Sequence, residues 1–259
     1  MSTVLVTGAC VNTGAAIVER FLKDGSPVIF TGRDHERIGL AEKNYREKFP
    51  DSSIRGHKLC PLLNETEVDE KSVEKMFEAF DNDGIFIETL VLNAADLGVG
   101  MDVFSASAKD MARVMNTNVI WNFCLCKHAA LRMKEKGCGN IVFINSNTAY
   151  RAITERFAYI ASKGGQLGLM RSLALELGKY GIRVNAVLPG MIKTDRWDKN
   201  PAFYANVPSR FTPLGSVAEG EDIADAVYYF ARHAKNTTGA ELVVDGGNSI
   251  QLYPIIDKK

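Results

Sequence analysis

The sequence predicts an α/β fold in which one doubly wound parallel sheet of about seven strands carries helices on both faces. Three observations lead there. Short apolar strands alternate with longer amphipathic helices along the whole chain, and that alternation packs as parallel strands with right-handed crossovers. A glycine-bearing turn, Thr7-Gly8-Ala9-Cys10-Val11-Asn12-Thr13-Gly14, joins the first strand to the first helix. No Pro/Gly/Ser-rich linker and no fixed-period repeat divides the 259 residues, so residues 1–259 read as a single domain.

The elements follow in order. Val4–Thr7 is a β-branched run that enters the glycine turn, and Ala15–Lys23 reads as a helix. Pro27–Thr31 is a strand, and Glu36–Lys48 a helix charged on one face. Ser53–Leu59 reads as a third strand and Ser72–Phe80 as a helix, led by Glu70 and Lys71. Glu88–Asn93 is a strand, Ala108–Lys134 is long enough for one or two helices, and Asn140–Asn145 is again a strand. Phe157–Tyr180 reads as a long helix, Arg183–Leu188 as a strand, Glu221–Ala231 as a helix and Glu241–Asp245 as the last strand. The longest connections are Cys60–Asp69 and Asp195–Gly215, and long ordered loops in compact domains are often functional.

Composition narrows the partners. Apolar residues make up 46% and charged residues 24%, and Lys+Arg equal Asp+Glu at 31 each. A net charge of zero leaves no global positive field for nucleic acid or an anionic membrane, so a small molecule is the expected partner. No apolar run approaches the roughly 20 residues that span a bilayer. The start, Met1–Thr7, has no charged leader followed by an apolar core, and a cytoplasmic location is expected. The five cysteines, Cys10, Cys60, Cys124, Cys126 and Cys138, are odd in number in a long chain, which argues against a disulfide framework. Cys124 and Cys126 do not share a helix face, and the four histidines show no H-x-x-x-H spacing. No metal site is expected; buried reduced thiols are.

Two sets of residues carry chemistry. In the turn Thr7–Gly14, glycine lets the backbone bend and approach a pyrophosphate, and the helix N-terminus behind it supplies N–H donors. Two glycines after a strand also make a plain tight turn. The second set is Ser146, Tyr159 and Lys163. Tyr159 and Lys163 stand four apart on a helix and share a face, so an ammonium can favour the phenolate and make a general acid/base of it. Ser146 follows a strand end, where an α/β sheet places its ligand crevice. Taken alone, a Tyr and a Lys four apart are more often surface packing.

Further motifs decide between these readings, and with them the chain resembles the short-chain dehydrogenase/reductase family, in its single-domain, Rossmann-like branch, over nearly its whole length. Thr7–Gly14 resembles that family's T-G-x-x-x-G-x-G, and Asn93-Ala94-Ala95 its N-A-G. Asn118 resembles its active-site helix asparagine, and Ser146 with Tyr159-Ile160-Ala161-Ser162-Lys163 its catalytic serine and Y-x-x-x-K. Arg183-Val184-Asn185, Pro189-Gly190-Met191-Ile192-Lys193-Thr194, Thr238-Gly239 and Asp245-Gly246-Gly247 complete the series. The resemblance implies hydride transfer between a nicotinamide cofactor and a carbonyl or secondary alcohol. Tyr159 would exchange the proton with the substrate oxygen, Lys163 would lower the tyrosine pKa and hold the nicotinamide ribose, and Ser146 would orient the carbonyl. Asn118 would hold a water in a proton relay. Gly8, Asn12, Thr13, Gly14, Asn93, Ala94, Pro189 and Gly190 would line the cofactor site, and Ile192 and Thr194 would fix the carboxamide. A homotetramer or homodimer is also implied, and the apolar tail Ile250–Ile256 could reach a neighbouring subunit.

The chain departs from the pattern in places. Asn12 stands where the family usually has its second glycine, and asparagine tolerates the left-handed region. Ala95 replaces a glycine. The usual aspartate after the third strand is missing from Cys60-Pro61-Leu62-Leu63-Asn64, which leaves the adenine contact unassigned. Asn145 and Asn147, beside Ser146, either shape the substrate pocket or cap the strand end. At the end of the second strand Gly32 takes the place of an acid and Arg33 follows. A guanidinium suits a 2′-phosphate, so NADP(H) is expected ahead of NAD(H), with Asp34 as the competing ribose ligand. The segment 195–215 is expected to form a substrate lid, with Arg196, Trp197, Phe203, Tyr204 and Phe211 suited to a mainly apolar substrate, and Tyr150 and Arg151 at the rim. The rival readings are a nucleotide-binding regulatory protein without chemistry and a cofactor-free lyase or dehalogenase on the same fold.

Overall fold

The computed structural model describes residues 2–255. Its seven strands are β1 (Ser2–Val6), β2 (Val28–Gly32), β3 (Ile54–Lys58), β4 (Phe86–Leu92), β5 (Gly139–Ile144), β6 (Ile182–Pro189) and β7 (Glu241–Val244). They form one sheet in the order β3-β2-β1-β4-β5-β6-β7, and every neighbouring pair is parallel. The order reverses between β1 and β4, and a cleft opens at such a switch point beyond the carboxyl ends of the strands.

The central strands are buried on both faces, so their apolar runs are nearly unbroken and successive side chains go to opposite layers, while the edge strands β3 and β7 are partly exposed. Val4, Val6, Val28, Phe30, Val91, Val142, Ile144 and Val187 face one layer. That layer is closed by α1 (Asn12–Lys23), α2 (His35–Lys48) and α10 (Gly220–Arg232). Leu5, Ile29, Leu90, Leu92, Ile141, Phe143, Val184, Ala186 and Leu188 face the other. There the cover is α3 (Glu70–Asn82), α5 (Trp121–Lys136) and α6 (Phe157–Leu177). Helices lie on both faces, as the alternating pattern predicts.

Between α4 (Ala108–Met115) and α5 the helix does not stop. Residues Asn116–Ile120 form one π turn, closed by the Trp121 N–H to the Asn116 carbonyl. The single long helix is thereby widened at its centre, at the asparagine-rich stretch. Segment 195–211 after β6 is not a loop but three short helices: α7 (Asp195–Lys199), α8 (Pro201–Tyr204) and α9 (Val207–Phe211). Trp197 stacks on Tyr204 with ring centroids 4.3 Å apart. The side chains of Arg196 and Phe203 lie outside the described set, as does Ile256 of the tail. The preceding tail residues return to this segment: the Ile255 N–H and the Gln251 side-chain amide both donate to the Arg210 carbonyl.

Cys124 and Cys126 are buried thiols without a disulfide; Cys10 and Cys60 are half-buried and Cys138 is exposed. Among the described residues no helix is long and apolar enough to cross a membrane. Among the described residues no group of three or more His, Cys, Asp or Glu could hold a metal ion.

The Arg183-Val184-Asn185 motif acts on the fold. Arg183 Nη1 donates to the Phe230 and Ala234 carbonyls and Nη2 to the Ala231 carbonyl, which caps the C-terminal end of α10. Asn185 donates to the Thr237 carbonyl and accepts from the Ala240 N–H, which sets the entry to β7. Arg183→Ala is expected to destabilise the chain by about 2 kcal/mol. Urea denaturation measures that loss, and cofactor affinity measured on the folded variant should stay unchanged.

Candidate active site

The cleft is built at the carboxyl ends of β1, β4, β5 and β6. At β1, Thr7 leads into a turn whose shape depends on close backbone approach. Gly8 has φ +63°, and a Cβ there would stand 2.8 Å from the Ala94 Cβ. A Cβ on Gly14 would meet the Ala9 Cα and the Gly8 carbonyl oxygen at 2.7 Å. Asn12 adopts φ 53°, the left-handed conformation that asparagine tolerates. The turn is held from β4. Thr7 Oγ1 accepts from the Asn93 and Ala94 N–H groups, and Asn93 Nδ2 donates to the Thr7 and Gly8 carbonyls. From below, the Tyr45 hydroxyl donates to the Ala9 carbonyl at 2.6 Å. Asn93 thus shapes the turn with its side chain, while Asn12, Thr13 and Gly14 begin α1. No side chain caps that helix, so its first N–H groups face the cleft as an anion-binding end. The cradle has the glycine approach and the open helix end that a dinucleotide pyrophosphate requires.

At the end of β2, a Cβ on Gly32 would lie 2.6 Å from the Cys10 Sγ and 2.8 Å from Ile38, so an acidic side chain does not fit there without a shift. Arg33 is exposed. Asp34 is the N-cap of α2, and its carboxylate accepts from the Arg37 N–H at 3.0 Å. In the loop after β3, Asp69 is likewise spent as the cap of α3, bonded to Ser72, and Asn116 ties the loop by donating to the Thr66 carbonyl.

The structure brings Ser146, Tyr159 and Lys163 together. Ser146 follows β5 and opens a short 3-10 turn, its hydroxyl accepting from the Thr148 N–H. Tyr159 and Lys163 lie one turn apart on α6, with Lys163 Nζ 5.4 Å from the Tyr159 ring centroid. Burial pushes the Tyr159 phenol above its ordinary range, while a hydrogen bond from Ser146 and the positive charge of Arg156 pull it back. Lys163 is 2% exposed, and burial pushes its ammonium down to about 7. Its Nζ donates to the Ile144 carbonyl at 2.8 Å and to Gln166 Oε1 at 3.1 Å.

Asn118 sits in the π turn, wholly buried. Its Nδ2 donates to the Asp96 carbonyl and to Ser162 Oγ, and its Oδ1 accepts from the Asp96 N–H, so the side chain anchors the loop after β4. Its main-chain carbonyl points the other way and accepts from Asn122 Nδ2 and Gln166 Nε2. Sequence reading missed Gln166. The signal was a polar residue three positions after Lys163 on a helix face that otherwise packs apolar.

The flanking asparagines cap and clamp. Asn145 donates to the Lys163 carbonyl and to Gln166 and accepts from the Ser146 N–H. Asn147 donates to Asp245 and Asn248, which ties the serine segment to the chain beyond β7. Pro189 ends β6, and the Gly190 N–H is taken by the Val244 carbonyl. Ile192 pairs with Ala218, and Thr194 precedes α7 without its side chain capping that helix. Tyr150 is drawn towards β7, donating to Glu241 and accepting from Arg171, while Arg151 binds the Gln251 carbonyl.

A depressed lysine pKa has a measurable consequence. The folded state releases the Lys163 proton near pH 7, whereas an unfolded lysine holds it to about 10.4. The unfolded state therefore binds more protons between those values, and the contribution of Lys163 to stability rises with pH in that window. The stability of the native chain minus that of Lys163→Met is expected to climb from pH 7 to pH 10 by at most about 1.4 kcal/mol per pH unit. Urea denaturation of both chains across that range checks it, and parallel curves would contradict it.

Comparison with known proteins agrees with this geometry. Residues 8–249 match the family model described as enoyl-(acyl carrier protein) reductase. The chain is 32% identical to the 3alpha-hydroxysteroid dehydrogenase of Mediterraneibacter gnavus over 243 residues, 93% of this chain and 94% of that protein. It is 32% identical to the NADP-dependent (R)-specific alcohol dehydrogenase of Lentilactobacillus kefiri over 252 residues, 95% and 96% of the two chains. The solved structure of ElxO with NADP bound superposes with a TM-score of 0.84 at 28% identity, covering 96% of this chain and 99% of that one. By its sheet order, its glycine turn, its Ser146/Tyr159/Lys163 set and these matches over nearly its whole length, the chain belongs to the short-chain dehydrogenase/reductase family of oxidoreductases.

Proposed function

We propose that the chain is an NADP(H)-dependent oxidoreductase that interconverts a carbonyl and a secondary alcohol, with Tyr159 as general acid/base. One observation carries this reading: the Tyr159 phenol, whose ionisation the Ser146 hydroxyl eases, stands one helical turn from the buried Lys163 amine, with Nζ 5.4 Å from its ring centroid. In reduction the Tyr159 O–H bond breaks and the proton passes to the substrate oxygen; in oxidation the phenolate takes the proton back. Ser146 donates to the same oxygen and stabilises the negative charge that develops on it. In its protonated form Lys163 places a positive charge beside the phenol and favours its ionised form. The cofactor, when bound, supplies or accepts the hydride. Gly8, Asn12, Thr13 and Gly14 would hold its pyrophosphate, Lys163 its nicotinamide ribose, and Ile192 and Thr194 its carboxamide. The complete Ser146/Tyr159/Lys163 set favours an oxidoreductase over a binding protein or a cofactor-free lyase.

The preference for NADP(H) rests on charge and space. An acid at Gly32 would need Cys10 and Ile38 to shift, Asp34 is committed to the α2 cap, and exposed Arg33 supplies a cation at the strand end that suits a 2′-phosphate. The named NADP dependence of the Lentilactobacillus relative supports this. Segment 195–215 is the proposed substrate lid. Its Trp197–Tyr204 stack and the exposed Val99, Val103 and Phe104 of the loop before α4 support a largely apolar substrate. Exposed Phe123 and Leu131 on α5 and Leu175 on α6 support a homo-oligomer.

Tyr159→Phe is expected to lower turnover of a ketone panel by roughly 10³-fold while NADPH binding, followed by nicotinamide fluorescence, survives. Full turnover in that variant would remove the acid/base role. Arg33→Ala is expected to weaken NADPH binding roughly tenfold or more while leaving NADH binding little changed. An unaltered preference in the same titration would move the specificity away from Arg33.

A further inference from the structure

We propose that Gln166 is a positioning residue for Lys163: its amide spans from the ammonium to the Asn118 carbonyl of the π turn, and so favours the charged lysine and holds it in place.

The span is complete on both sides. Gln166 Oε1 accepts from Lys163 Nζ at 3.1 Å and from Asn145 Nδ2 at 3.2 Å. Gln166 Nε2 donates to the Asn118 carbonyl at 2.7 Å. The amide has one workable orientation, because the flipped form would set its NH2 group against an ammonium and a second NH2 group. The residues are enclosed: Asn118 is 0% exposed, Gln166 1% and Lys163 2%. A charge taken out of water needs acceptors, and Lys163 has two, the Ile144 carbonyl and this amide oxygen. Removing either leaves desolvation opposed by a single hydrogen bond.

The bridge also alters what Asn118 can do. Its carbonyl is engaged by Asn122 and Gln166, and its side chain by Asp96 and Ser162. The direct link from this carbonyl to Lys163 is therefore an amide, which passes no proton on, in the place where the family resemblance implies a water. Gln166 then holds Lys163 in place at Tyr159. Other charged groups around the cluster are few among the described residues. Arg156, at the start of α6, acts on Tyr159. Arg113 is paired with Asp96 beside Asn118. Asp245 is held by Asn147, Gly247 and Ser249. The neighbouring stretch of α5 contributes the neutral Asn122, and the segment after β5 the neutral Asn145, Ser146 and Asn147.

The inference rests on the role proposed for Tyr159 and Lys163, but its test needs no turnover. The probe is the proton on Lys163 in the chain without added cofactor. The Lys163 Cε resonance is followed by NMR with isotope-labelled lysine through a pH titration, and it is assigned by its loss in Lys163→Arg. Gln166→Met keeps the shape and removes the acceptor, and should lower the Lys163 midpoint by about one pH unit. Gln166→Glu places a carboxylate on the ammonium and should raise it. If either variant fails to fold, the other still gives a signed shift. Midpoints that stay with the native chain, or that shift in the same direction in both variants, would overturn the proposal and leave Gln166 as packing, even if both variants lose thermal stability. Loss of turnover in Tyr159→Phe alongside unmoved midpoints would separate failure of this inference from failure of the proposed function.

Discussion

An ammonium group that must stay usable inside a protein interior sets the terms for the rest of this cleft. Lys163 loses nearly all contact with water, and burial alone depresses its pKa. Acceptors have to be brought to it from separate parts of the chain. Ile144 supplies a carbonyl from the end of β5, and α6 supplies Gln166 one turn on. Asn145 fastens the strand end to the helix through the Lys163 carbonyl. The π turn at Asn116–Ile120 belongs to the same arrangement, because it carries the Asn118 carbonyl that the Gln166 amide takes as its own acceptor. A wide turn in an otherwise regular helix costs regularity there and is matched by satisfaction of a buried polar network.

The other half of the cleft is organised around bare backbone. The turn after β1 can approach Ala94 and fold onto α1 because Gly8 and Gly14 have no side chains. Thr7 and Asn93 stitch that turn to β4, the strand across the switch point. The proposed cofactor cradle and the serine–tyrosine–lysine set are thus parts of one sheet end. Strand register fixes their spacing, rather than the conformations of independent loops.

The layered sheet was readable from the sequence because its central strands are buried on both faces and their apolar runs are nearly unbroken. Val4, Leu5 and Val6 already alternate between the two layers. Ser146, Tyr159 and Lys163 were readable by spacing, and the left-handed Asn12 by its chemistry. The π turn was not, since the pattern that predicts a helix counts residues per turn and cannot register one extra. Nor was Gln166, whose meaning depends on a carbonyl more than forty positions away in the chain. Segment 195–211 read as a loop because its helices are too short for an apolar period to show. Asn145 and Asn147 stayed ambiguous until their partners on α6 and beyond β7 were in view. Asp34 was a candidate ligand by position and is a helix cap by geometry.

The tail returns to Arg210, where the backbone at Ile255 and the side chain of Gln251 share one carbonyl. Two pieces of chain joined at one atom cannot swing independently. Any opening of the helices that follow Thr194 either carries the tail along or breaks those two bonds first. Residues 251–255 therefore tether the helices that follow Thr194, and a load applied to that stretch is transmitted to the Arg210 carbonyl.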